Sequence, residues 1–131
     1  MLKDCPFCTI SDAQDSERII FESPYFFSIW DGFPVSKGHA LLISKQHLAS
    51  FFDLSIEQRE DAMTALEKLK AHIHAEYAPD GFNIGINDGP AAGQTVPHLH
   101  IHLIPRYVGD INDPRGGIRW VLPAKAEYWS K

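Results

Sequence analysis

The stretch from His98 to Ile104 reads His-Leu-His-Ile-His-Leu-Ile. Seven residues of unbroken alternation predict an extended strand, because side chains at i, i+2 and i+4 of a strand share one face. Three imidazoles then point the same way, roughly 6.6 Å apart along the strand. Leu99, Ile101 and Leu103 point the other way, and burying them fixes the register. A row of titratable rings costs stability unless it serves a chemistry. Two chemistries fit: the rings of His98, His100 and His102 hold a catalytic metal, or one ring is a nucleophile that its neighbours orient.

The rest of the chain supplies partners for such a strand. Short runs rich in Ile, Phe and Tyr at 19–21, 25–30 and 40–44, broken by Ser23-Pro24 and the Gly32–Gly38 stretch, predict three strands, the last two as a hairpin. Between Leu54 and Tyr77 the period changes. Ile56, Met63, Leu66, Leu69, Ile73 and Tyr77 recur at threes and fours, so an amphipathic helix is predicted with these as its buried stripe. Ser55 and Gln58 form a capping-box pair at its start, and Pro79-Asp80-Gly81 supplies the stop. Phe82 to Asn87 alternates again and predicts a strand, and His98 to Ile104 is the fifth. The class is therefore α+β, with an antiparallel sheet of about five strands and one long helix.

Composition excludes several functions. A chain of 131 residues has room for one domain, spanning 1–131. Twelve basic against 17 acidic residues, a net charge of −5 and no Lys/Arg run remove the electrostatic footprint of a nucleic-acid binder. No apolar run approaches the length of a membrane span. The start, Met1-Leu2-Lys3-Asp4-Cys5, resembles no export or import signal, so a cytoplasmic protein is expected. No magnesium-binding motif is present, and no catalytic metal is expected.

The run His98–Ile104 matches the signature of the histidine triad (HIT) family, His-φ-His-φ-His-φ-φ with φ apolar, at every position. Gly38–Ile43 with His47 looks like the family's central strand, and 87–95 looks like its loop before the triad. The stretch Asp88–Val96, with Pro105-Arg106 and Gly109-Asp110, is closer to the dinucleoside polyphosphate hydrolase branch, and Arg115–Pro123 resembles bacterial members. The resemblance implies a HIT-like fold with a further short helix near the amino terminus. It also implies hydrolysis at a nucleotide's α-phosphate through a covalent nucleotidyl intermediate on His100. A neutral imidazole is a competent nucleophile at pH 7, and the resemblance implies that a backbone carbonyl holds the proton on the other nitrogen of His100. His102 would contact the phosphoryl oxygens and leaving group, while His39 and His98 would orient the rings. Asn87, Gln94 and Thr95 would contact phosphate, Asp31 would accept the ribose hydroxyls, and Phe7, Ile10 and Ile29 would line the base pocket. A homodimer is implied as well. The substrate would be a dinucleoside polyphosphate such as diadenosine tetraphosphate. The alternatives are an adenosine phosphoramidate, or a nucleotide-binding regulatory module with little turnover.

Cys5-Pro6-Phe7-Cys8 read alone fits a redox pair, half a zinc site or two small buried hydrophobes. In members of the family that carry this motif, the positions of His47 and His98 complete the set. The resemblance thus implies a structural Zn2+ on Cys5, Cys8, His47 and His98.

Overall fold

The computed structural model describes residues 4–13 and 17–130. Helix α1 spans Pro6–Ala13 and α2 spans Ile56–Tyr77; the strands are β1 Ile19–Glu22, β2 Phe26–Trp30, β3 Ala40–Ser44, β4 Gly81–Gly85 and β5 His100–Arg106. They form one five-stranded sheet in the order β1-β2-β3-β5-β4, antiparallel at every pairing. The α+β architecture, the β2–β3 hairpin and the long helix match the sequence-based expectation.

Alternation sorts the sheet into two faces. On one, Phe26, Ala40, Leu42, Ile101 and Leu103 pack with Ala62, Ala65, Leu69 and Ile73 of α2. On the other, Phe27, Ile29, Leu41 and Ile43 pack with Cys5, Phe7, Cys8 and Ile10 around α1. The stripe expected on α2 needs correction. Ile56, Met63 and Tyr77 are exposed, and the buried positions are Gln58, Ala62, Ala65, Leu69 and Ile73. Alanines on that face let the helix lie close to the sheet, which large side chains would prevent. The capping box is present: Gln58 N–H donates to Ser55 Oγ (3.1 Å), and Ser55 N–H donates to Gln58 Oε1 (2.8 Å). At the other end, Ala78 takes a left-handed conformation before Pro79.

Strand bounds differ where backbone geometry overrides alternation. β4 ends at Gly85, leaving Ile86 and Asn87 in the following loop. β5 begins at His100, not His98, which sits in a bend, and it runs on through Pro105. Proline is tolerated there because the β3 ladder ends at the Ala40–Leu103 pair, so no strand faces the missing N–H on that side. Ser36 Oγ–H donates to the Pro105 carbonyl in the vacated space (2.7 Å). Gly38 enters β3 at φ +86°, and a Cβ there would lie 2.8 Å from Tyr77 Cδ2, so the turn that presents His39 requires glycine. Among the described residues, no helix is long and apolar enough to cross a membrane.

Candidate functional site

The α1 face of the sheet carries a cleft of about 420 Å³, lined among others by Phe7, Ile10, Ile29, Asp31, Leu41, Asn87, Thr95, His100 and His102. Eight of the residues expected at the site therefore share one concavity. A hollow of about 500 Å³ lies elsewhere, between the β4–β5 end and residues 107–117. Its Arg106 is already held by both Asp110 oxygens and by Asn83 Oδ1, so it offers no free charge to a ligand.

The histidines differ in what holds them. His100 Nδ1–H donates to the carbonyl of His98 (2.8 Å), which leaves the Nε2 lone pair as the ring's reactive atom. Phe7 packs edge-on against this ring, with centroids 5.0 Å apart. Val35 N–H donates to His39 Nδ1 (3.2 Å), so His39 carries its proton on Nε2. That proton faces His102 Nδ1 at 3.0 Å and Asp31 Oδ2 at 3.3 Å. His102 Nδ1 accepts, and the His102 proton is therefore on Nε2. His102 and His100 lie with ring centroids 5.2 Å apart. One ring thus offers a lone pair and its neighbour offers an N–H.

Electrostatics keep the supporting rings neutral. Burial pushes His102 down to about 4, helped by His100 and His39 and opposed by Asp31. Burial also lowers His39, against the pull of Asp31, and lowers His98, where the hydrogen bond to the Ser44 carbonyl opposes it.

His98 faces away from the cleft. Its Nε2–H donates to the Ser44 carbonyl (2.6 Å), turning Nδ1 toward Cys5 Sγ (3.3 Å), Cys8 Sγ (3.5 Å) and His47 Nδ1 (3.1 Å). Cys5, Cys8, His47 and His98 bring four ligand atoms within 4.8 Å of one another, three of the residues buried. Two thiols and two imidazole nitrogens at tetrahedral spacing can hold a metal ion. The three triad rings form no common ligand set, because His98 joins the cysteines while His102 joins His39 and Asp31.

One expectation looks different in the structure. Gln94 does not line the cleft: its Oε1 accepts from Gly89 N–H (2.8 Å) and its Nε2 donates to the Ala49 carbonyl (2.9 Å), so both ends of the amide brace the 88–97 loop. Asp31 lines the cleft, where its Oδ1 accepts from Phe33 N–H (2.7 Å) and its Oδ2 faces His39. The resemblance implied a backbone carbonyl on His100 without saying which, and sequence reasoning missed the Ser44 carbonyl and the Val35 N–H, since main-chain groups leave no mark in composition. It also missed Leu41 and Arg18 on the cleft wall.

The HIT domain family model matches residues 12–109. A bis(5'-adenosyl)-triphosphatase of Saccharomyces cerevisiae is 35% identical over 101 residues, covering 73% of this chain and 49% of that protein. The chain spans about half the length of that curated relative. A crystal structure of a HIT family protein from Bacillus anthracis is 39% identical with a TM-score of 0.74, over 82% of this chain and 76% of that one. A Zn-bound histidine triad family protein from Mycobacterium smegmatis is 36% identical with a TM-score of 0.72, over 82% of this chain and 78% of that one. With the triad strand, the cleft and the family match in agreement, this chain belongs to the HIT family.

Proposed function

We propose that the protein hydrolyses nucleotides at the α-phosphate, with His100 Nε2 as nucleophile. The observation that carries this is the His100 Nδ1–H bond to the His98 carbonyl, which fixes the tautomer and leaves Nε2 with a free lone pair on a ring that lines the cleft. In the first step Nε2 bonds to the α-phosphorus and the bond to the bridging oxygen breaks, its electron pair leaving with the second phosphate group. The positive charge left on the His100 ring stays on Nδ1–H, against the His98 carbonyl. His102 Nε2–H hydrogen-bonds the oxygens where charge develops. Water then attacks phosphorus, the P–N bond breaks back to Nε2, and a nucleoside monophosphate is released with a proton to solvent. Burial holds His102, the ring placed at the leaving group, at about 4, so it serves as a neutral N–H donor, which suits a leaving group that departs as a stable anion. A dinucleoside polyphosphate such as diadenosine tetraphosphate fits that better than an adenosine phosphoramidate.

In this reading Asn87 and Thr95 contact phosphate, Asp31 faces the ribose, and Phe7, Ile10 and Ile29 enclose the base. Zn2+ is the metal the Cys5–Cys8–His47–His98 donor set fits best, and it would pin the bend whose carbonyl holds His100. Residues 1–131 form one domain, supported by the packing of 117–118 against Asn83 and Gly85 of β4. The open edge of β4, with Ile84 exposed, suits a homodimer contact. Two cysteines without a disulfide suit the reducing cytoplasm.

Turnover of diadenosine tetraphosphate and adenosine phosphoramidate, measured side by side with and without chelator, tests the proposal. Faster cleavage of the tetraphosphate, lost in His100→Ala, is expected. Binding of AMP without turnover of either substrate would instead make the protein a nucleotide-binding module.

A further inference from the structure

We infer that Arg18 reads the base of the bound nucleotide and favours a 6-oxopurine, guanine or hypoxanthine, over adenine; the inference rests on the nucleotide-hydrolase reading of the cleft. The register across the sheet supplies the ruler. Ile19 pairs with Ile29, Ile29 with Leu41, and Leu41 with His102, a single row crossing β1, β2, β3 and β5. Three inter-strand steps put the β1 edge roughly 14 Å from the histidine strand. Arg18 immediately precedes Ile19 at that edge, and its side chain lines the cleft. Its Nη2 stands beside Gly32, just past the end of β2, on the cleft wall across the sheet from the histidine strand, and this is where we place the base of a nucleotide whose α-phosphate sits on His100.

The wall in between is apolar: Phe7, Ile10, Ile29 and Leu41 offer nothing for a base to hydrogen-bond with. The guanidinium is uncommitted, with no hydrogen bond or ion pair to another described residue, and it is exposed. A Cβ at Gly32 would meet Arg18 Nη2 at 3.7 Å, an ordinary contact, which locates the guanidinium against the Gly32 backbone. Arg donates and cannot accept. Guanine and hypoxanthine present O6 and N7 as adjacent acceptors, which a guanidinium engages as a fork, whereas adenine places its N6 amino donor opposite those donors.

The test measures binding of GMP, IMP and AMP, and kcat/KM for diguanosine and diadenosine tetraphosphate, in wild type, Arg18→Ala and Arg18→Lys. Wild type should favour GMP and IMP over AMP by about tenfold or more, the discrimination of one bidentate contact. Arg18→Ala should bring the ratio near unity, and Arg18→Lys should restore only part of it, because an ammonium lacks the fork. Matched melting temperatures show that the variants fold. A wild-type ratio near unity, or a ratio that survives Arg18→Ala, overturns the inference. So does an equal loss of all three mononucleotides in Arg18→Ala, which would make Arg18 a phosphate contact. If neither tetraphosphate is cleaved while GMP selectivity still depends on Arg18, the hydrolase reading fails and the base contact stands. Cleavage of both without preference gives the reverse.

Discussion

Strand β5 has two sides that are built by different rules. Ile101 and Leu103, each 2% exposed, meet Ala62, Ala65, Leu69 and Ile73 of α2, a surface that asks only for the right volume in the right place. His100 and His102, facing the other way, are specified nitrogen by nitrogen. One is set by the His98 carbonyl, the other by a chain running from Val35 N–H through His39. Stability and chemistry are thus divided between the faces of one strand. The chemical face depends on main-chain groups that the apolar face holds in position.

Substitutions on the two sides should separate. His100→Ala should lower turnover by about three orders of magnitude or more while the unfolding midpoint stays near wild type. Leu103→Ala should do the opposite, costing roughly 2–5 kcal/mol in denaturant unfolding with kcat per folded molecule retained. Equal behaviour of the two would erase the contrast. Cys8→Ser should abolish stoichiometric zinc in metal analysis and lower the melting temperature, since metal binding and folding are coupled. His39→Ala should lower kcat by about 10- to 100-fold, the usual effect of removing a group that orients another. A change confined to KM would place His39 at substrate instead. The smallest effect is the pH dependence. His102 stays neutral in the folded protein down to about 4, whereas an unfolded histidine takes up its proton near 6.5. As pH falls below about 6.5, the unfolded chain gains a proton that the folded site refuses, so this contribution to stability declines toward pH 4 and is constant above 6.5. The slope of unfolding free energy between about pH 7 and 5 should be shallower in His102→Gln than in wild type.

Much of this was legible in the residues. The order of elements, the capping box and the histidine strand follow from periodicity and turn chemistry, and Cys5, Cys8, His47 and His98 converge as the family resemblance implied. The rest depended on geometry that periodicity does not carry. Alternation continues through His98, yet the backbone bends there because the ring is drawn to Ser44 and the cysteines. The alternating run ends at Ile104, yet β5 continues through Pro105 because the neighbouring ladder has already ended beside it. Ile56 and Met63 fit the helical period, yet the sheet accepts only the slimmer alanine face of α2. Gln94 stands next to Thr95 in sequence, yet it turns to Gly89 and Ala49.

The central claim is that His100 Nε2 becomes covalently bonded to the α-phosphate. Rapid mixing of wild type and His100→Ala with a dinucleoside polyphosphate, quenched in base to preserve phosphohistidine and read by intact-protein mass, tests it most directly. The expected result is one nucleotidyl group per wild-type chain during turnover, mapped to His100, and none on the variant. Sustained turnover by His100→Ala, or an adduct mapped to another residue, would contradict the account.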